Sequence, residues 1–300
     1  MQLTLATAPT CDPVSLTEVR EWLNIVDGIT ESDAVVERLI DEAYEELEKY
    51  TNRKICTQTW TLTLDAAEVV DPIRLPLVPL VSVSSIVTTD DDGDASTMTS
   101  SYYRARAGEN PRIVLTSTGS WATDMRDHDA CAITAVCGYN GTKVPYVGFE
   151  PAAYNSPGLN DLTASLSAAW TGTAKTTYEI VIDAAATTDT FKWRAVTRDA
   201  DGQKTHGAWT ATVSITGAAQ ALASNAQIKF AATTGHTLND KWTVQMYERL
   251  PEWVRQALRA LVIHWYVGKG RGVTETVSGQ LISLPHHVER RILSYRVEAV

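Results

Sequence analysis

The sequence predicts an α+β protein with a small helical bundle core, a β-rich subdomain and an inserted all-β sandwich. Two helix patterns open the chain, over Ser15–Asn24 and Asp33–Tyr50. From Thr57 onward apolar residues recur at every second position, as in a half-buried strand. About a hundred residues after this β-rich stretch, a strongly amphipathic helix pattern begins at Leu250. A helical unit interrupted by β-structure indicates a scaffold that carries an accessory module.

The first two helices carry their own start signals. Ser15 and Glu18 form a capping box, in which the serine hydroxyl accepts a free backbone N–H and Glu18 reaches back. Ser32 or Asp33 can cap the second helix. Its apolar residues recur at helical spacing, at Val36, Leu39, Ile40, Ala43, Leu47 and Tyr50. We assign residues 1–55 to the first part of the helical core.

The opposite face of the second helix is acidic. It carries Glu37, Asp41, Glu42, Glu45, Glu46 and Glu48. Like charges at i,i+4 destabilise a helix. This face is therefore expected to meet water, cations or a basic partner.

A β-rich subdomain is predicted over residues 56–145. Its strand candidates include Thr57–Leu64, Val81–Thr88 and Cys131–Val136, and Ile73–Leu80 is an extended stretch interrupted by prolines. The acidic run Asp90–Asp94 lacks the ordered oxygen ligands of an EF-hand, so a hairpin turn is the favoured interpretation.

Residues 146–247 are predicted to form the inserted β-sandwich. From 147 to 245 there are 7 basic and 8 acidic residues, so this segment is nearly neutral. Turn signals separate short strand patterns at regular spacing. The strand candidates are Leu162–Ala168, Tyr178–Ile182, Thr190–Val196, Thr210–Ile215, Ala226–Phe230 and Lys241–Gln245.

Residues 248–300 return to helical patterns and complete the predicted core. Pro251 is tolerated in the first turn of the helix that follows. The glycine-rich run Gly268–Gly272 follows a helix, whereas a phosphate-binding P-loop follows a strand, so a helix stop and connector is favoured. A last helix is predicted at roughly Pro285–Val297.

Composition and charge limit the function classes. With 44% hydrophobic residues the chain can bury a core, and no apolar run approaches the roughly 20 residues of a membrane span. The N-terminus does not resemble a signal peptide, so synthesis in a cytoplasm is expected. The net charge is −10, but residues 1–50 hold 12 acidic and 3 basic residues and residues 251–300 hold 4 and 7. Opposite ends of one chain, or of neighbouring chains, can therefore attract each other.

The sequence contains no recognisable set of catalytic or metal-binding residues. The cysteines Cys11, Cys56, Cys131 and Cys137 lack CxxC spacing, which favours free buried thiols over a disulfide or zinc site. The adjacent His286 and His287 diverge on a helix, and no nucleophile lies beside a base. We expect no metal, no cofactor and no enzymatic activity. The tryptophans of the middle segment (Trp170, Trp193, Trp209 and Trp242) can stack on sugars but are more often sandwich core.

Several segments in order resemble the head–tail connector, or adaptor, proteins of tailed bacteriophages and gene transfer agents. The pieces are Leu16–Leu23, Leu39–Ala43, Thr51–Trp60, Ile73–Pro76, Pro79–Val83, Gly138-Tyr139, Leu250-Pro251, Ala257, His264–Tyr266, Leu284-Pro285, Val288 and Tyr295-Arg296. The resemblance covers about two thirds of the chain. The family runs directly from the Gly-Tyr turn to the proline-led helix, whereas here residues from about 146 to 247 intervene. That segment resembles Ig-like or carbohydrate-binding-like modules of phage structural proteins.

The resemblance implies a structural virion protein in the neck, at the head–tail interface, made in the host bacterial cytoplasm. Such adaptors assemble as rings, usually dodecamers, that join the portal protein to a stopper or tail-completion protein and extend the channel through which double-stranded DNA passes. They have no membrane partner. By position, the portal-docking segment would hold Leu284, Pro285, Val288, Ile292, Leu293, Tyr295 and Arg296. A channel or inter-subunit face would hold Glu37, Asp41, Glu42, Glu45, Glu48, Lys269 and Arg271.

An alternative is a neck-located binding module whose sandwich recognises host glycans or anchors neck fibres. A third class is an enzyme such as a wall-degrading hydrolase, but the sequence shows no catalytic pair for it.

Overall fold

The α+β prediction is confirmed. The structure, a computed structural model, describes residues 1–25, 33–153, 158–199, 203–270, 293 and 295–297. The chain divides into two compact units. Unit 1 comprises Met1–Pro9, Glu45–Gly141 and His286–Val300. Unit 2 comprises Thr10–Tyr44 and Thr142–Pro285.

Three α-helices lie close to their predicted positions. They are α1 (Leu16–Leu23), α2 (Asp33–Thr51) and α3 (Glu252–Gly270). Ser15 caps α1 as predicted, since its Oγ accepts the Glu18 backbone N–H at 3.1 Å. Asn24 ends α1 with a left-handed φ of 54°. The apolar positions of α2 from Val36 to Leu47 are almost completely buried, which explains why this sequence is helical in the fold.

Unit 1 contains two antiparallel sheets. Eight of the strands are β1 (Gln2–Thr7), β2 (Gln58–Leu64), β3 (Ile73–Arg74), β4 (Leu80–Thr89), β5 (Ala95–Thr97), β6 (Tyr103–Arg106), β7 (Arg112–Leu115) and β8 (Cys131–Cys137). The larger sheet has the order β1-β2-β8-β4-β5, and the smaller has the order β3-β7-β6. Short 3₁₀ helices occupy Ala66–Glu68 and Ser100–Tyr102.

One hydrophobic core holds both sheets of unit 1. Leu62, Ile86 and Ile133 from the larger sheet pack with Ile73 and Ile113 from the smaller sheet, and all five are buried. Alternate residues of each strand face this core, as a period of two requires. The remaining side chains of the smaller sheet therefore point away from it.

The Gly-Tyr turn after β8 depends on its glycine. Gly138 has a φ of 113°, and a Cβ at this position would lie 2.4 Å from the Cys56 carbonyl oxygen. This close approach lets the Tyr139 N–H donate to the Ile55 carbonyl at 3.0 Å. Substitution of Gly138 would thus disrupt the contact between this turn and residues Ile55 and Cys56.

Unit 2 contains the remaining strands in two sheets. They are β9 (Lys143–Glu150), β10 (Leu162–Leu166), β11 (Lys175–Ala184), β12 (Thr190–Arg198), β13 (Lys204–His206), β14 (Val213–Ser214), β15 (Gln220–Ala221), β16 (Ala226–Phe230) and β17 (Lys241–Glu248). The larger sheet has the order β13-β12-β11-β17-β9, with β14 paired to β12. The smaller sheet has the order β10-β16-β15.

The larger sheet of unit 2 lies between two other layers. One face packs on the smaller sheet around a shared core that includes Ile180, Phe191, Phe230 and Trp242. Its other face meets α1 and the first part of α2. Gly148 of β9 permits this approach, because a Cβ there would lie 2.5 Å from Thr17 Oγ1 of α1.

Some sequence predictions differ from the structure. Strand β9 was not predicted, and it pairs with β17 from Lys143 opposite Glu248 to Glu150 opposite Lys241. The candidate strand at Thr210–Ile215 is reduced to two residues. The predicted last helix lies mostly outside the described residues; Leu293 is helical, whereas 295–297 are not. Unit 2 groups the segment 146–247 with Thr10–Tyr44, so the compact units do not follow the predicted domain boundaries.

Candidate assembly surfaces

A buried charged cluster lies on the outer face of the larger sheet of unit 2. Asp12 is buried, and its Oδ1 accepts from Lys175 Nζ at 3.0 Å and also contacts Arg198 Nη2. Its Oδ2 accepts from Gln245 Nε2 at 2.6 Å. Lys175 of β11 and Arg198 of β12 lie directly opposite each other in the sheet register. Their like charges are therefore tolerable because a carboxylate lies between them.

The second carboxylate of this cluster comes from α2. Asp41 Oδ1 lies 3.2 Å from Lys175 Nζ, and Asp41 Oδ2 lies 3.4 Å from Arg198 Nη1. Two cations and two carboxylates thus balance each other. Burial alone would raise the pKa of Asp12, but the charges of Lys175 and Arg198 outweigh it and hold that pKa below its ordinary value.

Further polar contacts join the same sheet face to α1 and α2. Glu37 Oε1 of α2 pairs with Lys204 Nζ at 2.7 Å. Glu21 Oε1 of α1 accepts from the Tyr146 hydroxyl at 2.8 Å. Glu37 and Asp41, in the first part of α2, therefore meet basic side chains of their own unit.

Glu18 does not complete the capping box in the predicted manner. Its carboxylate contacts Arg255 Nη2 of α3 instead, within unit 2. Burial would lower the pKa of Arg255, but the hydrogen bond and charge of Glu18 raise it. One residue of the helix-start motif thus joins α1 to α3.

The other residues of the predicted channel or inter-subunit face differ in their surroundings. Glu42 and Glu45 are exposed. Glu48 Oε1 accepts from the Ile55 N–H at 2.7 Å and from Gln58 Nε2 at 2.9 Å, and so stabilises the chain just after α2. Lys269 belongs to the last turn of α3, and Arg271 lies outside the described residues.

Part of the predicted portal-docking segment lies on the end of α2 in unit 1. The Val297 N–H donates to the Thr51 carbonyl at 3.0 Å, and Arg53 Nε donates to the Tyr295 carbonyl at 2.5 Å. The Arg296 guanidinium lies 5.8 Å from the Tyr50 ring centroid. Leu293 is 45% exposed. The other predicted docking residues lie outside the described residues, namely Leu284, Pro285, Val288 and Ile292.

The tryptophans mainly build the sandwich rather than a ligand site. Trp242 is fully buried, and Trp170 and Trp193 pack against the same core. Trp209 is 37% exposed, but the Arg194 guanidinium lies 4.5 Å from its ring centroid. The face that a sugar would stack on is therefore partly occupied.

A buried histidine forms the clearest titratable cluster away from the helices. His236 Nδ1 lies 2.9 Å from Asp189 Oδ2, and its Nε2 lies 3.0 Å from Asp161 Oδ1. Its side chain has no solvent exposure, and Phe230 and Trp242 pack against the ring. A substrate cannot reach this imidazole, so its geometry is that of a structural link.

A polar cavity of about 370 Å³ lies between α1, α2 and the outer sheet face. Its charged lining residues largely pair with one another, for example Arg20 with Asp33 at 3.2 Å and Lys241 with Glu179 at 3.6 Å. Among the residues that the structure describes, no group of three His, Cys, Asp or Glu side chains is arranged to hold a metal ion.

The four cysteines are buried, as predicted, and the predicted acidic turn is present. None of the four cysteines forms a disulfide, and burial raises the pKa of Cys131 to about 11. The run Asp90–Asp94 forms the turn between β4 and β5, and Asp90 Oδ1 accepts the Asp94 N–H at 2.8 Å. No helix in the described part of the chain combines the length and apolarity needed to cross a bilayer.

The first part of the chain is similar to a known protein family. Residues 13–110 match the phage gp6-like head-tail connector protein family. This connector match covers about a third of the 300 residues and confirms the family resemblance for the segments between Leu16 and Val83. It contains α1, α2 and the strands of unit 1 from β2 to β6.

Solved structures of gene transfer agent particles also resemble the chain. A chain in the neck of an empty particle, computed with C6 symmetry, is 20% identical, with a TM-score of 0.41 over 46% of this chain and 72% of its own. A chain in a native virion is 20% identical, with a TM-score of 0.38 over 46% of this chain and 72% of its own. A chain in the neck of a native particle, computed with C12 symmetry, is 20% identical, with a TM-score of 0.36 over 46% of this chain and 70% of its own. The comparison with curated proteins gave no match.

Proposed function

We propose that this chain is a structural virion protein, a head–tail adaptor that joins the portal to the tail or stopper. The observation that carries the proposal is the connector match over residues 13–110. In this function the chain forms a homo-oligomeric ring in the neck, and double-stranded DNA passes through it without sequence-specific contacts. The protein works by binding other virion proteins and needs neither a cofactor nor catalysis.

The C-terminal segment is proposed to dock on the portal. Its described residues are attached by hydrogen bonds to the Thr51 backbone carbonyl and the Arg53 side chain, while the Leu293 side chain is 45% exposed. A segment held at one end with an apolar side chain in solvent can place that side chain in a partner's pocket. The proposed contact extends over the set from Leu284 to Arg296 named above.

Residues 146–247 are proposed to be an insertion into this adaptor. β9 and β17 pair along their whole length, so Lys143 and Glu248 lie next to each other. The two ends of the segment therefore adjoin, which is what insertion at a surface turn requires. Because Lys175 and Arg198 pair with Asp12 and Asp41, the insertion also stabilises the residues around α1 and α2.

The exposed acidic residues Glu42 and Glu45 are proposed to face the channel or a neighbouring subunit, together with Lys269 and Arg271. Negative side chains repel DNA and limit its retention in a conduit. Glu37, Asp41 and Glu48 have cationic or hydrogen-bonding partners in their own unit, which screen part of their charge.

Particle production without the chain tests the main proposal. When its gene is removed, we expect DNA-containing heads and separate tails, and supply of the wild-type chain should restore joined particles. Normal yields of tailed particles in the absence of the chain would exclude the adaptor function.

A single substitution tests the docking segment. Leu293→Asp should abolish co-purification with the portal protein, because it places a charge in an apolar contact. Leu238→Asp is the matched control, since Leu238 is 50% exposed and lies in unit 2. Equal portal binding by the two variants would exclude docking through Leu293.

A further inference from the structure

Four arginines share one face of the smaller sheet of unit 1. Arg74 of β3 lies opposite Arg112 of β7, and Arg112 lies opposite Arg106 of β6. Neighbouring strands are about 4.8 Å apart, so this row is about 10 Å long. Arg104 lies two residues from Arg106 and therefore points to the same side. We call these four residues the arginine face.

The arginine face is directed to solvent because the other face is in the core. Ile73 and Ile113, which alternate with Arg74 and Arg112, are 3% and 0% exposed. Arg74, Arg104 and Arg106 are exposed, and Arg112 is half-buried. All four side chains are thus available to one flat partner.

No carboxylate of the described residues forms an ion pair with this face. The nearest acidic residue in the β6–β7 loop, Glu109, pairs with Arg53 instead. Like charges directly opposite each other on a sheet are destabilising. The row is therefore unfavourable in the isolated chain, and an external anion would relieve the repulsion.

We propose that the arginine face binds the phosphate backbone of double-stranded DNA. Guanidinium groups bind phosphate oxygens through two parallel hydrogen bonds. A protein partner would need an apolar centre to its interface, whereas this face offers one half-buried aliphatic residue, Val114. The proposal rests on the proposed function, which brings DNA past the ring, and it assigns that contact to a surface outside the acidic helix.

Salt-dependent DNA binding tests this surface. The full chain is titrated between 50 and 200 mM salt against a duplex of arbitrary sequence that is short enough to contact one subunit. Four phosphate contacts predict a slope of log K against log salt of about −3.6, which is a loss of about 150-fold over this range. Arg104→Ser with Arg106→Ser should reduce the loss to about 12-fold.

The matched control removes the same charge elsewhere. Arg38 and Arg249 are exposed, and Arg38→Ser with Arg249→Ser should retain a slope within about 0.5 of the wild-type value. An equal slope for the two double variants, or no DNA binding by the wild-type chain at 50 mM salt, would overturn the proposal. Thermal unfolding of each variant shows that the fold is intact.

A second measurement separates DNA from a protein partner. The mass of the assembly should be the same for the wild-type chain and the Arg104→Ser, Arg106→Ser variant. A smaller assembly would show that the arginine face joins subunits, which contradicts the proposal. If DNA binding fails while the chain still joins heads to tails, the proposed adaptor function stands and this inference is wrong.

Discussion

Two sheet faces of this chain carry basic residues in register, and their surroundings differ. In unit 2, Lys175 and Arg198 lie opposite each other and share the carboxylates of Asp12 and Asp41. In unit 1, Arg74 and Arg112 lie opposite each other without a carboxylate partner among the described residues. The first arrangement stabilises the fold. The second is explained by a partner that the fold does not contain.

The comparison shows why net charge alone is a poor guide to partners. A chain with a net charge of −10 is expected to avoid DNA. Many of its acidic residues, however, form ion pairs with basic residues of the same unit, as Glu37 does with Lys204. Exposed basic residues are unevenly distributed, and Arg74, Arg104 and Arg106 lie together on the smaller sheet of unit 1. The location of the paired acids decides which surfaces stay charged.

The largest expected effect is the loss of the buried carboxylate at Asp12. Asp12→Ala leaves Lys175 and Arg198 with one partner fewer in a buried site, and should lower the free energy of unfolding by about 3–5 kcal/mol. Urea unfolding measures this change. Asp91→Ala is the control, because Asp91 is exposed in the β4–β5 turn, and it should change stability by less than about 0.5 kcal/mol. Similar values for both would show that the cluster does not stabilise unit 2.

Acid should remove part of this stabilisation. The native pKa of Asp12 lies below its ordinary value of 3.8, so the folded state binds fewer protons there than the unfolded state. The contribution is complete above about pH 5 and is lost as the pH falls below about 4 through the native pKa. Asp12→Asn should flatten this part of the stability curve. An unchanged acid limb would assign it to other carboxylates.

A smaller effect is expected at the more exposed ion pair of the same face. Lys204 is 42% exposed, so solvent screens its contact with Glu37. Glu37→Gln should cost about 0.2–1 kcal/mol and the cost should fall with added salt. Chemical unfolding at low and high salt measures both. A cost equal to that of Asp12→Ala would show that burial does not set the strength of these pairs.

The smallest effect on stability is expected at the arginine face. Arg106→Ser removes a repulsive neighbour of Arg112, so the free energy of unfolding should change by less than about 0.5 kcal/mol. Thermal unfolding measures the change. A loss of several kcal/mol would show that Arg106 has a structural partner, and the contrast between the two sheet faces would no longer hold.

Local signals in the sequence predicted the helices well. The Ser15 cap, the apolar stripe of α2 and the Asp90–Asp94 turn depend on residues within a few positions of one another, and each is found where it was predicted. The α+β class follows from the same signals.

The features that the sequence did not predict depend on contacts between residues far apart in the chain. β9 contains Pro145 and Gly148, which argue against a strand, and it is stabilised by pairing with β17 about a hundred residues later. The charged cluster joins Asp12 to Arg198, and the arginine row depends on the register of three strands. Arg194 and Arg198 lie four positions apart, on the same side of β12, but their acidic partners could not be read from sequence spacing.

Reconstruction of the whole particle by electron cryo-microscopy tests the central claim most directly. We predict a ring of this chain at the junction of head and tail, with the segment from Leu284 to Arg296 against the portal and the arginine face toward the DNA. Density for the chain at the tail tip, or as a single copy away from the junction, would contradict the adaptor function.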